Sequence, residues 1–173
     1  MPQPIEFSTL SLKDALDLAI LIEDEARERY EEFVDQLELH HTAEAAAFFR
    51  HMATNETKHG EELSERRKAR FGDAPRTVTR AMLWDIEAPD YDQARMFMSA
   101  RHAMNVALDA EVKAHDFFAA ALPHVTDAEV RELFEELRQE ELEHQALVRQ
   151  HLAKLPPDPD VDPEDYADEP VSQ

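Results

Sequence analysis

The sequence predicts an all-α protein in which four long helices form one bundle. With 173 residues the chain is long enough for a single domain with a substantial core. It contains only two glycines, whereas the strong helix formers Ala, Leu, Glu and Arg are abundant. Apolar residues also recur every three to four positions over four long segments, which is the pattern of a helix with one buried face.

The first two helices are predicted in the amino-terminal half of the chain. The first runs from Leu12 to Leu39, and Ser11 with Asp14 forms its start signal. The second runs from Ala43 to Arg70. The link around residues 40–42 is short, so these two helices are expected to be antiparallel neighbours.

The third and fourth helices are predicted in the carboxy-terminal half. The third begins near Asp92 and ends at Pro123, whose ring cannot continue a helix. The fourth opens with a capping box, in which Thr126 is the cap and Glu129 reaches back to it. Their short link makes a second antiparallel hairpin.

A long segment, residues 71–91, joins the two hairpins. Twenty extended residues reach about 66 Å, whereas a helix of twenty-eight residues is about 42 Å long. The segment can therefore run the whole length of the bundle. A short helix is expected over residues 79–86, with Trp84 packed against the side of the bundle.

Composition divides the chain into a bundle, residues 1–155, and a tail, residues 156–173. The tail is rich in proline and holds seven acids and no base, so it is expected to be disordered. It supplies a third of the net charge of −21. So acidic a protein would repel the phosphates of a nucleic acid, and binding to nucleic acid is not expected.

The absence of cysteine excludes disulfides and thiolate metal sites. The first residues contain no basic region leading into an apolar run, so no signal peptide is predicted. No apolar stretch reaches the ~18 residues of a membrane span. A soluble, cytoplasmic protein is therefore expected.

The two halves of the chain carry the same pattern of ligand-type residues. In each half, a phenylalanine stands seven residues before a glutamate, and a histidine follows that glutamate after three residues. In each half, the preceding helix carries a further glutamate within its apolar stripe. The repeated residues are Glu23, Glu56 and His59 in the first half and Glu111, Glu141 and His144 in the second.

This repeat predicts a site for two metal ions inside the bundle. Residues three apart on a helix project side by side, so each Glu-x-x-His can offer two ligands to one point. Four carboxylates facing a core are very unfavourable without a counter-charge, and two divalent ions would balance them. Carboxylate oxygens with one imidazole per ion favour iron or manganese over zinc.

Two further residues and one residue pair are also of the types that this chemistry uses. Tyr30 lies two turns after Glu23 on the same face, where its hydroxyl could bond a ligating carboxylate or take part in electron transfer, or could simply be a core aromatic. His115, one turn after Glu111, is a candidate to support the ligands. A third Glu-x-x-His pair, Glu38 and His41, lies at a helix end and is assigned to the surface.

These residues resemble the rubrerythrin branch of the ferritin-like superfamily over roughly residues 12–155. The most specific parts are Glu-x-x-Ala-x-x-x-Tyr, which here runs from Glu23 to Tyr30, and Ala-x-Asn-Glu-x-x-His, which runs from Ala53 to His59. The resemblance implies a ferritin-like four-helix bundle, with two antiparallel hairpins joined by a long crossover.

The resemblance also implies an activity: a non-haem di-iron oxidoreductase of the peroxidase or ferroxidase type. Such a protein oxidises Fe²⁺ with hydrogen peroxide or oxygen and serves iron and peroxide homeostasis under oxidative stress. Tyr30 would be its catalytic side chain. Its iron ligands would be Glu23, Glu56, His59, Glu111, Glu141 and His144.

The chain departs from the family pattern at two points. It has no cysteines for the rubredoxin domain that usually feeds electrons to the irons, and Ala114 stands where the family tends to have a further glutamate. An external electron donor is therefore needed, or ferrous iron itself supplies the electrons.

Two alternative functions stay open. One is a dimanganese catalase-like enzyme, and the other is a non-catalytic iron-binding or interaction module whose acidic tail docks a partner. A homodimer or larger homo-oligomer is expected, with no nucleic acid or membrane partner.

Overall fold

The computed structural model describes residues 5–39, 43–82 and 99–156. Four α-helices account for most of them, and no strand occurs within these ranges. They are α1 (Leu12–Leu39), α2 (Ala43–Phe71), α3 (Ala100–Ala121) and α4 (Ala128–Leu152). Short 3₁₀ turns span Phe7–Thr9, Arg80–Met82 and Leu122–His124.

Helices α1 and α2 form one antiparallel hairpin. The side chain of Glu38 near the end of α1 pairs with Arg50 near the start of α2, whereas Asp17 near the start of α1 binds Arg67 near the end of α2. Helix α2 ends where Gly72 adopts a positive φ of 55°, a conformation that glycine adopts without steric cost. The predicted bounds of both helices are confirmed to within one residue.

Helices α3 and α4 form the second antiparallel hairpin. Phe118 near the end of α3 packs on Phe134 of α4 at a ring-centroid distance of 5.3 Å. Arg101 near the start of α3 donates to the carbonyl oxygen of Leu152 at the end of α4. These two hairpins make the all-α, ferritin-like four-helix bundle that the sequence predicts.

Two predicted helix starts are wrong. Helix α3 begins at Ala100 and not near Asp92, because Ser99 has an extended backbone and its hydroxyl accepts a hydrogen bond from the backbone N–H of His102. Helix α4 is capped by Asp127 and not by Thr126. The Asp127 carboxylate accepts from the N–H groups of Glu129 and Val130.

Parts of the predicted crossover and tail lie outside the described residues. They include Trp84, half of the short helix expected over residues 79–86, and residues 157–173. Within the described ranges, no helix is both long and apolar enough to span a bilayer.

The core consists of two apolar clusters at opposite ends of the bundle. One cluster contains Leu16, Phe118 and Phe134, and the other contains Phe33, Phe49 and Met104, all at most 2 % exposed. Along every helix, the position where one cluster gives way to the other is occupied by a glutamate. The site is built at this level.

Candidate metal centre

Four buried glutamates, one from each helix, form a polar layer between the two apolar clusters. Glu23, Glu56, Glu111 and Glu141 are between 0 and 5 % exposed. Each occupies a core-facing position because it falls in the apolar period of its helix. A buried carboxylate is unfavourable unless it is protonated or faces a cation, so this layer needs positive charge.

His144 of α4 faces carboxylates from three helices. Its Nδ1 atom lies 3.2 Å from Oε2 of Glu111, 3.6 Å from Oε1 of Glu56 and 3.8 Å from Oε2 of Glu141. The imidazole is buried, with 9 % of its side chain exposed. A single nitrogen is thus surrounded by oxygen atoms that could share an ion with it.

His59 of α2 lies beside His144, with the two rings stacked. Their centroids are 5.2 Å apart and their planes differ by 4°. The Nδ1 atom of His59 is 3.9 Å from Oε2 of Glu23 and 3.9 Å from Oε2 of Glu56. Glu56 therefore directs one carboxylate oxygen towards each histidine.

The ligand-type atoms fall into three compact groups among residues 5–39, 43–82 and 99–156. Within each group the atoms lie within 4.8 Å of one another, which is close enough for one ion to contact all of them. The groups are Glu23 with His59 and Glu140, Glu111 with Glu141 and His144, and Glu56 with both histidines. The structure thus brings all six sequence-predicted residues together.

Sequence reasoning missed Glu140. The repeat hid it, because the matching position in the first half is Asn55 and only residues shared by both halves were selected. The sequence does contain one signal for Glu140: it is the first residue of the Glu-Glu-x-x-His run that ends at His144. This position is next to that of Glu141 and lies near the core face of the helix. Glu140 is half-buried, and burial, followed by the charge of Glu136, raises its pKa.

Burial and the surrounding charges shift the pKa values of three of these side chains. Burial raises the pKa of Glu23 to about 7 and, with the charge of His144, lowers the pKa of His59. Burial also acts to lower the pKa of His144, but the hydrogen bond with Glu111 and the nearby acidic charges outweigh it, so that pKa is raised. The protein therefore holds protons in this layer when no cation balances it.

The two halves of the site differ at the residue after each histidine. In the second half, Gln145 donates to the backbone carbonyl of Glu111 at 3.2 Å and covers that side. In the first half this residue is Gly60, and a Cβ atom there would lie 3.6 Å from Cβ of Glu23. A cleft of about 570 Å³ opens here between α1 and α2, and Glu56 lines it.

Comparison with known proteins places this geometry in a family. The family model described as Rubrerythrin matches residues 14–152, which carry all four helices and the whole polar layer. The chain belongs to the rubrerythrin family. No curated protein matches it.

A solved structure shares the fold of this chain. It is the crystal structure of an uncharacterized conserved protein from Magnetospirillum magnetotacticum MS-1, to which the chain is 29 % identical. The match covers 88 % of this chain and 100 % of that protein, with a TM-score of 0.71. The neighbour therefore shares the fold along nearly the whole bundle.

The donor set of this rubrerythrin-family chain fits two metal ions of a kind that prefers oxygen ligands. Carboxylate oxygens outnumber imidazole nitrogens, and two separate groups each offer two carboxylates and one histidine. That composition suits iron or manganese. The chain contains no cysteine, so its candidate ligands are all oxygen and nitrogen atoms.

Two further predicted residues are placed by the structure. Tyr30 is 2 % exposed and stacks on Phe49 with a centroid distance of 5.8 Å, within the apolar cluster that begins at Ala26. Its catalytic role stays a prediction. His115 instead directs Nδ1 to Asp116 at 2.9 Å, and among the described residues it belongs to none of the three ligand groups.

Proposed function

We propose that this member of the rubrerythrin family binds two iron ions and oxidises Fe²⁺ with hydrogen peroxide or oxygen. The observation that carries the proposal is the layer of four buried carboxylates between two apolar clusters, together with the buried imidazole of His144 and the half-buried imidazole of His59. The proposed ligands are Glu23, Glu56, His59, Glu111, Glu141 and His144.

Charge balance supports two divalent ions. Four ionised carboxylates carry a charge of −4, and two divalent cations cancel it. Without them, the layer must hold protons, as the raised pKa of Glu23 indicates. With them, both histidines are neutral and offer a nitrogen lone pair as ligand. Metal binding therefore releases protons from the layer.

The side chains of this layer have different roles in holding and orienting the ions. Glu56 stands between the two imidazoles, so it can bridge the two positions. Glu111 accepts from or donates to His144 at 3.2 Å and so orients that ring. When bound, two ferrous ions supply two electrons, which with two protons reduce the O–O bond of peroxide to two waters.

The cleft beside Gly60 offers a route from solvent to Glu56. Its lining includes the acids Asp24, Glu56, Glu61 and Glu65 and the bases Arg27 and Arg76, so acidic side chains outnumber basic ones and favour the entry of cations. Peroxide, oxygen and Fe²⁺ are small enough for a cleft of about 570 Å³. The apolar clusters cover the ligand layer towards both ends of the bundle.

Tyr30 is proposed to assist electron transfer at this site. It follows Glu23 by two turns on α1, and its phenol is a redox-active group buried within the neighbouring apolar cluster. A cytoplasmic location, a homo-oligomeric state and an external electron donor belong to the same proposal.

The test is elemental analysis followed by anaerobic reloading with Fe²⁺ and addition of peroxide. We expect close to two irons per chain and a new near-ultraviolet absorption when the iron is oxidised. The double variant Glu56→Ala with Glu141→Ala should bind less than a tenth of that iron, whereas Glu132→Ala, an exposed position on α4, should behave as wild type. Wild-type protein that takes up no iron would contradict the proposal.

The same samples separate the alternatives. Release of oxygen from peroxide by the manganese-loaded protein, without oxidation of Fe²⁺ by the iron-loaded protein, would indicate a catalase-like enzyme. Uptake of iron without any turnover, together with unfolding of the double variant, would indicate a structural metal.

A further inference from the structure

Glu140 is a ligand-type side chain that the six-residue site leaves without a role. It lies on α4, immediately before Glu141, and is half-buried. A carboxylate oxygen of Glu140, a nitrogen of His59 and a carboxylate oxygen of Glu23 lie within 4.8 Å of one another. Three different helices, α1, α2 and α4, therefore converge on one point.

Glu140 makes the two halves of the centre equivalent in donor number. The group around His144 contains two carboxylates, Glu111 and Glu141. The group around His59 contains Glu23 and, from the opposite hairpin, Glu140. The two groups share no residue, and Glu56 faces both histidines between them. Without Glu140, the first position would have one carboxylate fewer of its own than the second.

The space in front of this group is open enough for an ion to enter. A cavity of about 160 Å³ lies between α2 and α4, and His59, Leu63, Leu137 and Glu140 are among its lining residues. Its apolar wall is formed by Leu63, Leu133 and Leu137, and its polar lining consists of His59 and Glu140 together with Glu62, Arg66 and Glu136. Glu140 thus lines a second opening, between α2 and α4, whereas the cleft beside Gly60 lies between α1 and α2.

We propose that Glu140 is a direct ligand of one of the two metal ions, together with Glu23 and His59, while Glu111, Glu141 and His144 hold the other. This inference rests on the proposed function, because it assigns a seventh ligand to the same centre. Five carboxylates carry a charge of −5, which lies between the +4 of two Fe²⁺ ions and the +6 of two Fe³⁺ ions. Glu140 consequently favours the oxidised pair more strongly than four carboxylates would.

The test is an anaerobic calorimetric titration of the full chain with Fe²⁺. Wild type should bind two ions. Glu140→Gln, which keeps the side-chain shape and removes the charge, should bind one ion normally and the other at least tenfold more weakly. Glu140→Asp, which keeps the carboxylate, should recover part of this loss. Glu143→Gln, an exposed glutamate one turn further along α4, is the matched control and should bind both ions as wild type does.

A second readout follows the oxidation state and does not depend on turnover. The midpoint potential of the iron-loaded Glu140→Gln protein should be higher than that of wild type, because a negative charge that stabilises Fe³⁺ is missing. Two unchanged affinities in Glu140→Gln, or an equal loss of both, would overturn the assignment of Glu140 and leave the proposed function intact. A wild-type protein that binds no Fe²⁺ would instead refute the proposed function itself.

Discussion

Glu23 is the side chain whose protonation responds most directly to the state of the centre. It is fully enclosed between α1 and α2, and burial raises its pKa to about 7. In the unfolded chain the pKa of the same carboxyl is near 4.5. Between these two values the folded, metal-free protein holds a proton that the unfolded chain has released, and that difference makes stability depend on pH.

We predict that metal-free wild type loses stability relative to Glu23→Gln as the pH rises. Because the pKa of Glu23 is higher in the folded state, its protonation stabilises the folded protein. This stabilisation is fully present below pH 4.5 and is lost as the pH rises through 7. The shift corresponds to at most ~3 kcal/mol. Urea denaturation of chelator-treated proteins at about pH 5 and pH 8 measures it. Parallel pH profiles of the two proteins would contradict the prediction.

The glutamates of the centre differ in how well the sequence alone predicts that they are ligands. Glu56 and Glu141 were predictable because each occurs in a repeated pattern and on the apolar face of its helix. Glu140 has Asn55 as its counterpart, so symmetry gave no signal for it. Its approach to Glu23 and His59 depends on how α4 is rotated against α1 and α2, which no single-helix pattern describes.

At three helix ends, an arginine side chain donates hydrogen bonds to backbone carbonyl oxygens. Arg67 donates to the carbonyl oxygens of Gly72 and Ala74 after α2. Arg131 donates to the carbonyl oxygens of Leu122 and Val125 before α4, and Arg101 does the same for Leu152, Leu155 and Pro156 after α4. These bonds supply side-chain donors to carbonyl groups at helix ends and turns, where the regular helical donors run out.

At the start of α4, the residue that caps the helix differs from the one that the sequence pattern predicts. A Thr-x-x-Glu capping box is expected from the sequence, but Asp127 lies one residue closer and its carboxylate accepts two backbone N–H groups. Thr126 instead donates its hydroxyl to the carbonyl oxygen of Ser8, before α1. The approach of the amino-terminal segment is a tertiary contact, and it redirects the threonine.

We predict that Asp127→Ala destabilises the protein by ~1 kcal/mol, the usual cost of losing a helix cap. Urea denaturation gives the energy, and hydrogen exchange identifies the site, because the amides of Glu129 and Val130 lose their acceptor and should exchange faster. Thr126→Ala is the matched control and should leave the exchange of these two amides unchanged. The opposite result would assign the cap to Thr126.

The whole molecule consists of two helix hairpins that meet across the ligand layer. Glu23 and Glu56 belong to the first hairpin, whereas Glu111 and Glu141 belong to the second. The six-residue site therefore receives equal contributions from both, and ions bound in it would link α1–α2 to α3–α4. The apolar clusters on either side hold the same hairpins together without metal.

We predict that each Fe²⁺ ion bound under anaerobic conditions raises the thermal unfolding temperature by about 5–10 °C. Binding to the folded state alone contributes ~2.7 kcal/mol at a free metal concentration a hundredfold above Kd, and a chain of this size gains about 2–4 °C per kcal/mol. Differential scanning calorimetry measures the shift. Glu111→Ala removes a ligand of the second hairpin and should reduce it by half or more. An identical shift in both proteins would show that iron binds elsewhere.

The sequence by itself determined the helical class, the bounds of α1 and α2, the hairpin arrangement and the six residues that meet in the layer. It could do so because the helical period and the internal repeat are both local or symmetric properties of the chain. Only the tertiary structure decided that Glu140 joins Glu23 and His59, that Gly60 opens a cleft where Gln145 closes the other side, and that Asp127 caps α4. Each of these depends on the rotation and separation of elements distant in sequence, where the two halves of the chain cease to be equivalent.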